Sequence, residues 1–125
     1  MGIIDISDLT VPPEKHELNT ARTFAQIGKN IKFLRPSNIK GNHTPDFVMD
    51  GKMWEAKSPQ SRNLRNIKDN LHDATKQSQN IVIDLQRIKM DEQECLAGIH
   101  HEAFMRKSIK RLIVITKTRD ILTIK

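Results

Sequence analysis

Two acids and a lysine stand close together in the stretch PDFVMDGKMWEAK, residues 45–57. Asp46 and Glu55 are nine residues apart, and Lys57 is eleven from Asp46. Between them lies Asp50-Gly51, a strong signal for a two-residue hairpin turn. If that turn closes, Met49 faces Lys52, Val48 faces Met53, Phe47 faces Trp54 and Asp46 faces Glu55. Opposed residues of such a pair have Cβ atoms roughly 4.5–5.5 Å apart. Lys57, two beyond Glu55, points to the same face. Like charges directly opposed destabilise a sheet, so the two acids need something positive between them. Hard carboxylate oxygens suit Mg²⁺ or Mn²⁺, with Zn²⁺ as a third option. Such an ion polarises a phosphate and lowers the pKa of a bound water. The Ala56 carbonyl, between Glu55 and Lys57, could add a ligand. Lys57 could position or deprotonate the attacking water and neutralise charge in the transition state. Together these are the parts of a phosphodiester hydrolase. The competing reading is an exposed charged hairpin with a diagonal salt bridge, which is worth little.

The rest of the chain bounds what those residues can belong to. Its 125 residues make one domain with room for a real core. Lys plus Arg is 21 against 15 for Asp plus Glu, a formal charge of +6. That excess suits a polyanionic partner, nucleic acid first, and equally suits ordinary solubility. A single cysteine, Cys95, excludes an internal disulfide and a Cys-rich zinc site, and is expected to pack in the core. No apolar run is long enough to span a bilayer. With no Tyr and four Phe, the chain has few groups for stacking bases, an argument against a stacking single-strand binder.

The elements that must position the trio read as follows. Residues 1–13 look like a leader or linker, and a domain is expected over 14–125. A helix is expected over 14–28, from apolar spacing at Leu18, Ala21, Phe24 and Ala25, with Gly28 as its C-cap. A short strand follows at 30–34, then a polar loop over 35–44, then the hairpin. A second helix is expected over 61–79, with Leu64, Ile67, Leu71 and Ala74 on its apolar side. IVIDL, 81–85, is fit for a buried parallel strand. A third helix over 91–109 and two closing strands, 111–116 and 121–125, complete an α/β domain with a mixed sheet. Phe47 and Trp54 fall on the face away from the acids and are assigned to the core.

Pro45-Asp46, eight residues, then Glu55-Ala56-Lys57 resembles the PD-(D/E)XK nuclease motif. The resemblance implies a core of helix, three strands, helix and strand, and residues 14–85 read in that order, with an extra C-terminal helix and hairpin beyond it. Many such nucleases carry an acid on the first helix, a place that Glu17 fills here, as catalytic group and metal ligand. Many carry a Gln or Lys on the helix after the motif, which Gln77 or Lys76 would supply. Gln77 would contact the attacking water, Lys57 or substrate. Without the resemblance, Glu17 reads as a first-turn acid complementing the helix dipole, and Gln77 as a helix-edge amide.

More narrowly, HELNTARTFAQIGKNIKFLRP, TPDFVMDGKMWEAKSP and SQNIVIDL are similar to toxin nuclease domains at the C-termini of contact-dependent growth inhibition and related polymorphic toxins. This resemblance spans residues 15–116. It implies a metal-dependent endonuclease acting on RNA, tRNA first, with DNA as the close rival. It also implies neutralisation by a cognate immunity protein. Delivery would be as part of a larger secreted or cell-surface toxin, with action in the target-cell cytoplasm.

Arg62, Arg65 and Lys76 on the second helix would form a phosphate track, as would Lys40, with His43, in the loop before the motif. A charged helix face is more often merely solvated. His100, His101 and Glu102 invite a zinc reading, but adjacent histidines on a helix point about 100° apart, and the zinc-binding pair sits at i and i+4. Solvent-facing or supporting roles fit them better. The rival functions are a non-catalytic binding module on the same fold, which would be expected to lose one of the trio, and a dimeric restriction or repair nuclease, whose DNA-reading module the chain lacks.

Overall fold

The computed structural model describes residues 1–37, 39 and 43–125. Seven strands form one mixed sheet in chain order: β1 (Ile4–Asp5), β2 (Ile31–Phe33), β3 (Phe47–Met49), β4 (Lys52–Lys57), β5 (Asn80–Asp84), β6 (Arg111–Ile115) and β7 (Ile121–Thr123). Three helices connect them: α1 (Lys15–Gln26) after β1, α2 (Leu64–Thr75) between β4 and β5, and α3 (Glu92–Met105) between β5 and β6. A short 3-10 turn, Leu85–Arg87, follows β5. The pairs β1–β2, β4–β5 and β5–β6 are parallel; the others are antiparallel.

The alternation of side chains along β5 shows how the layers are built. Ile81 and Ile83 join Ile67, Leu71, Ile99 and Leu112 in the cluster under α2 and α3. Val82, between them, joins Phe24, Phe47, Trp54 and Ile115 in the cluster that includes α1. Successive strand residues point to opposite faces, so α1 packs on one side of the sheet and α2 and α3 on the other. A strand covered on both faces reads as an unbroken apolar run, as IVIDL does. Gly98 lets α3 approach α2 closely: a Cβ there would lie 2.5 Å from Leu64 Cδ2.

The hairpin has the register expected from its turn. Phe47 pairs with Trp54, Val48 with Met53 and Met49 with Lys52. Asp50 and Gly51 both have positive φ, 54° and 72°, the backbone of a type I′ turn. Lys29 Nζ bonds Asp50 Oδ2 at 2.8 Å, tying that turn to the exit of α1. The exit itself is a Schellman closure, with Gly28 N–H donating to Ala25 O and Lys29 N–H to Phe24 O, and Gly28 at φ 90°. Phe47 and Trp54 are both buried, as assigned.

Three segments differ from the sequence expectation, one of them α3, which ends at Met105 instead of running to 109. Residues 1–13 are not only a leader: Ile4 and Asp5 pair with Ile31 and Lys32 as a two-residue strand, and Leu9 packs on the α1 core. A two-residue strand carries no periodicity to read. Helix α2 ends at Thr75 instead of running to 79. Ser78 Oγ and Asn80 Nδ2 both donate to Met53 O, at 2.8 and 3.1 Å, and these bonds draw the chain onto β4.

Candidate functional site

Asp46 stands where β3 and β4 part. Its backbone N–H donates to Trp54 O and its carbonyl accepts from Leu34 N–H, both at 2.9 Å. The next ladder position is taken by the side chain: Ala56 N–H donates to Asp46 Oδ2 at 2.8 Å. The carboxylate is therefore fixed against β4, beside Glu55.

Glu55 is 4 % exposed and carries the unusual feature of the molecule. Among the described residues, its Oε1 is the buried side-chain oxygen with no hydrogen-bond partner. Buried polar atoms are nearly always paired, and an orphan points to a missing ligand or a functional strain. Oε2 lies 3.4 Å from Lys57 Nζ. Burial, and then the neighbouring Asp46 carboxylate, push the Glu55 pKa up from 4.5 to about 8, against the opposing pull of Lys57. Both causes disfavour a bare pair of carboxylates and favour a positive charge between them.

Asp46, Glu55, Ala56 and Lys57 line one cavity of about 170 Å³. Its far wall is the start of α1, with His16, Glu17 and Thr20. Glu17 thus reaches the cavity, but Glu14 N–H donates to its Oε1 at 2.8 Å, half of a helix capping box. Among the described residues, no three His, Cys, Asp or Glu side chains converge closely enough to cage an ion by themselves. Two carboxylates and a carbonyl fit Mg²⁺ or Mn²⁺, which are held by one or two carboxylates and keep several waters. They fit Zn²⁺ poorly, since that ion takes three or four protein ligands.

The other expected residues lie elsewhere. Gln77 follows the end of α2, where its N–H donates to Ala74 O, and it does not line the cavity. Helix α2 runs back along β4, and its C-terminal end lies beside Met53, at the end of that strand away from Lys57. Lys76, just beyond Thr75, pairs with Asp73 at 3.5 Å. Arg62 and Arg65 are exposed near the start of α2, and neither lines the cavity. Lys40 lies outside the described residues, and His43 is exposed. His100 and His101 are exposed, whereas Glu102 is buried against Arg106 at 2.7 Å. Cys95 is fully buried, and burial followed by the Glu92 and Glu94 carboxylates pushes its thiol up to about 11.

Sequence reasoning missed the network behind the α1 wall. Asp84, at 0 % exposure, accepts from Arg119 Nη1 on Oδ1 and from Arg119 Nη2 and Thr20 Oγ1 on Oδ2. Gln86 Nε2 donates both to Asp84 Oδ2 and to His16 O, at 3.0 Å each. The available signal was an acid ending an apolar run: a charge in a strand buried on both faces must be paired. Thr20 had a signal too, one turn along the same helical face from Glu17.

Residues 43–121, well over half of the chain, match the family model for the contact-dependent growth inhibition CdiA C-terminal domain. The matched span holds Asp46, Glu55, Lys57, Asp84 and Arg119; α1 lies before it. The fold is similar to that of a chain in the CdiA-CT/CdiI toxin and immunity complex from Burkholderia pseudomallei, with a TM-score of 0.72, 23% identity and 99% of each chain covered. No curated protein matches the sequence. No helix among the described residues is long and apolar enough to cross a membrane.

Proposed function

This chain belongs to the contact-dependent growth inhibition CdiA C-terminal domain family, and on that premise we propose that it is a metal-dependent endonuclease toxin domain of the PD-(D/E)XK type. Its substrate is RNA, tRNA first. It is carried by a larger delivered protein, acts in the target-cell cytoplasm and is neutralised by a cognate immunity protein. The order α1, β2, β3, β4, α2, β5 supports the nuclease type. The similar structure is that of a toxin and immunity complex, which supports the partner.

The observation that carries the reading is the unpaired Glu55 Oε1, buried beside Asp46 in a cavity that Lys57 also lines. Asp46 and Glu55 would hold the cation, with the Ala56 carbonyl as a further oxygen. A bound Mg²⁺ or Mn²⁺ would supply Lewis-acid polarisation of the phosphate and a water of lowered pKa. Lys57 orients the attacking water and neutralises charge gathering on the phosphate oxygens. The ammonium is held for this by Glu55 Oε2. Asp46 is kept in place by the Ala56 N–H, so its carboxylate needs no rearrangement during the reaction. Glu17 stands on the α1 wall, where its main structural work is capping.

The test is to incubate the protein with total tRNA and with plasmid, in Mg²⁺, Mn²⁺ or Zn²⁺. Cleavage of tRNA with plasmid intact is the expected result. Plasmid cut with tRNA untouched would move the assignment to DNA. Growth inhibition that survives Lys57→Ala would replace the hydrolase by a binding module.

A further inference from the structure

A second cleft, of about 190 Å³, adjoins the catalytic cavity and shares Glu17, Phe33 and Asp46 with it. One wall is the segment before α1, with Leu9, Val11 and Pro12; the other is the exit of β2, with Leu34 and Pro36. The first wall is anchored. Leu9 packs on the α1 core, and its N–H donates to Ile6 O at 3.0 Å. Among the described residues no lysine, arginine or histidine lines the cleft, and the two acids it has are those shared with the cavity.

That composition selects its occupant. A phosphate needs a cation or several donors, and beside Asp46 and Glu17 it would be repelled. A polynucleotide otherwise offers its sugar, whose hydroxyls call for polar partners, and its base, which has two uncharged flat faces. Proline rings and leucine side chains give such a face a rigid apolar platform, and the proline φ is already fixed. With the scissile phosphate at Lys57, the cleft adjoins the same cavity through Glu17, Phe33 and Asp46, the place of a flanking nucleotide. We propose that this cleft is a nucleobase subsite, which takes one unpaired base next to the scissile phosphate. This rests on the endonuclease reading above and deepens it. A base inside a duplex is stacked and paired, and must be extruded before it can enter. The substrate class is therefore single-stranded segments, loops and ends, where bases are already splayed out.

The experiment uses a fluorescent single-stranded oligoribonucleotide with one mapped cleavage position. Abasic residues replace its flanking nucleotides one at a time. An abasic residue at one of the two flanks should raise KM about tenfold with kcat little changed, from the apolar area that the base covers. Val11 and Pro36 are exposed, so Val11→Asp and Pro36→Asp should fold, as checked by circular dichroism. Each should raise KM for the intact oligonucleotide, and should respond to the abasic residue by less than about twofold. Equal KM for intact and abasic substrates at both flanks would overturn the subsite, as would variants that keep full discrimination. Bis(p-nitrophenyl) phosphate, a diester without a base, separates the two levels. If the protein cleaves it while ignoring abasic residues, the subsite alone falls. If it cleaves neither substrate class, the endonuclease reading falls and the subsite with it.

Discussion

Arg119 grips Asp84 with two guanidinium nitrogens, Nη1 to Oδ1 at 2.7 Å and Nη2 to Oδ2 at 2.9 Å, across 35 residues of chain. Arg119 sits at φ 69°, a left-handed conformation that a non-glycine residue keeps only when its surroundings hold it. Its Nη2 also donates to Thr23 Oγ1 at 2.8 Å, so the last hairpin is tied to α1. Removing one partner leaves a carboxylate buried at 0 % exposure without its counter-charge. Arg119→Ala should destabilise the fold by about 3–5 kcal/mol, read by urea denaturation. A loss below ~1 kcal/mol would mean that water or a rearranged side chain replaces the guanidinium.

Lys57→Ala should separate chemistry from folding. Its side chain is about a quarter exposed and makes one ion pair, at 3.4 Å, so denaturation should change little. Cleavage of tRNA should fall at least ~100-fold, as for other groups that stabilise transition-state charge. Retained cleavage would remove Lys57 from the mechanism.

Glu55 should make stability depend on pH. Between about 4.5 and 8 the folded protein keeps a proton on Glu55 that the unfolded chain has released. The native state then binds more protons, so stability falls as pH rises through that window. In chelator-treated buffer, unfolding free energy should decline from pH 5 to pH 8. Glu55→Gln should flatten that decline and add roughly 1–3 kcal/mol above pH 8, the cost of one buried unsatisfied polar group. An unchanged slope in the variant would show that another group titrates.

Divalent cations should act in the opposite sense. A cation at Asp46 and Glu55 must displace the Glu55 proton, so affinity should rise about tenfold per pH unit up to the pKa. At a concentration 100 times Kd, Mn²⁺ should add ~2.7 kcal/mol to stability, seen as a rise in Tm. Calorimetry should record proton release on binding. A pH-independent Kd would place the ion away from Glu55.

Glu17 offers a cleaner division between capping and ligation. Glu17→Gln keeps an oxygen for the Glu14 N–H and should retain both stability and most of the cleavage rate. Glu17→Ala loses the cap and should cost about 1 kcal/mol, read from denaturation midpoints. A Glu17→Gln variant that folds normally but cleaves ~100-fold more slowly would make Glu17 part of the reaction centre.

What could be read from the sequence was local. Asp50-Gly51 specified a type I′ turn, the turn set the register, and the register set Asp46, Glu55 and Lys57 beside one another. β5 was legible because burial on both faces leaves only apolar residues to choose from. The errors came where distant partners decide. The end of α2 depends on Met53 O, 25 residues before Ser78, so Gln77 was misplaced. The Asp84–Arg119 pair joins the end of β5 to the β6–β7 turn, with no shared pattern between them. The cleft beside Asp46 needs residues 9–13 folded back on the exit of β2, and no periodicity in that short stretch announces it.

The Arg119 guanidinium also reaches the Asn19 carbonyl, 100 positions earlier, at 3.3 Å. A clamp between residues 100 positions apart cannot close until both have emerged, whether from a ribosome or from a narrow pore. Until Arg119 emerges, Asn19 O and Thr23 Oγ1 lack the guanidinium, and the buried Asp84 lacks its counter-charge. The wall that faces Asp46 and Glu55 thus depends on a residue of the β6–β7 turn that lies far from it in the chain.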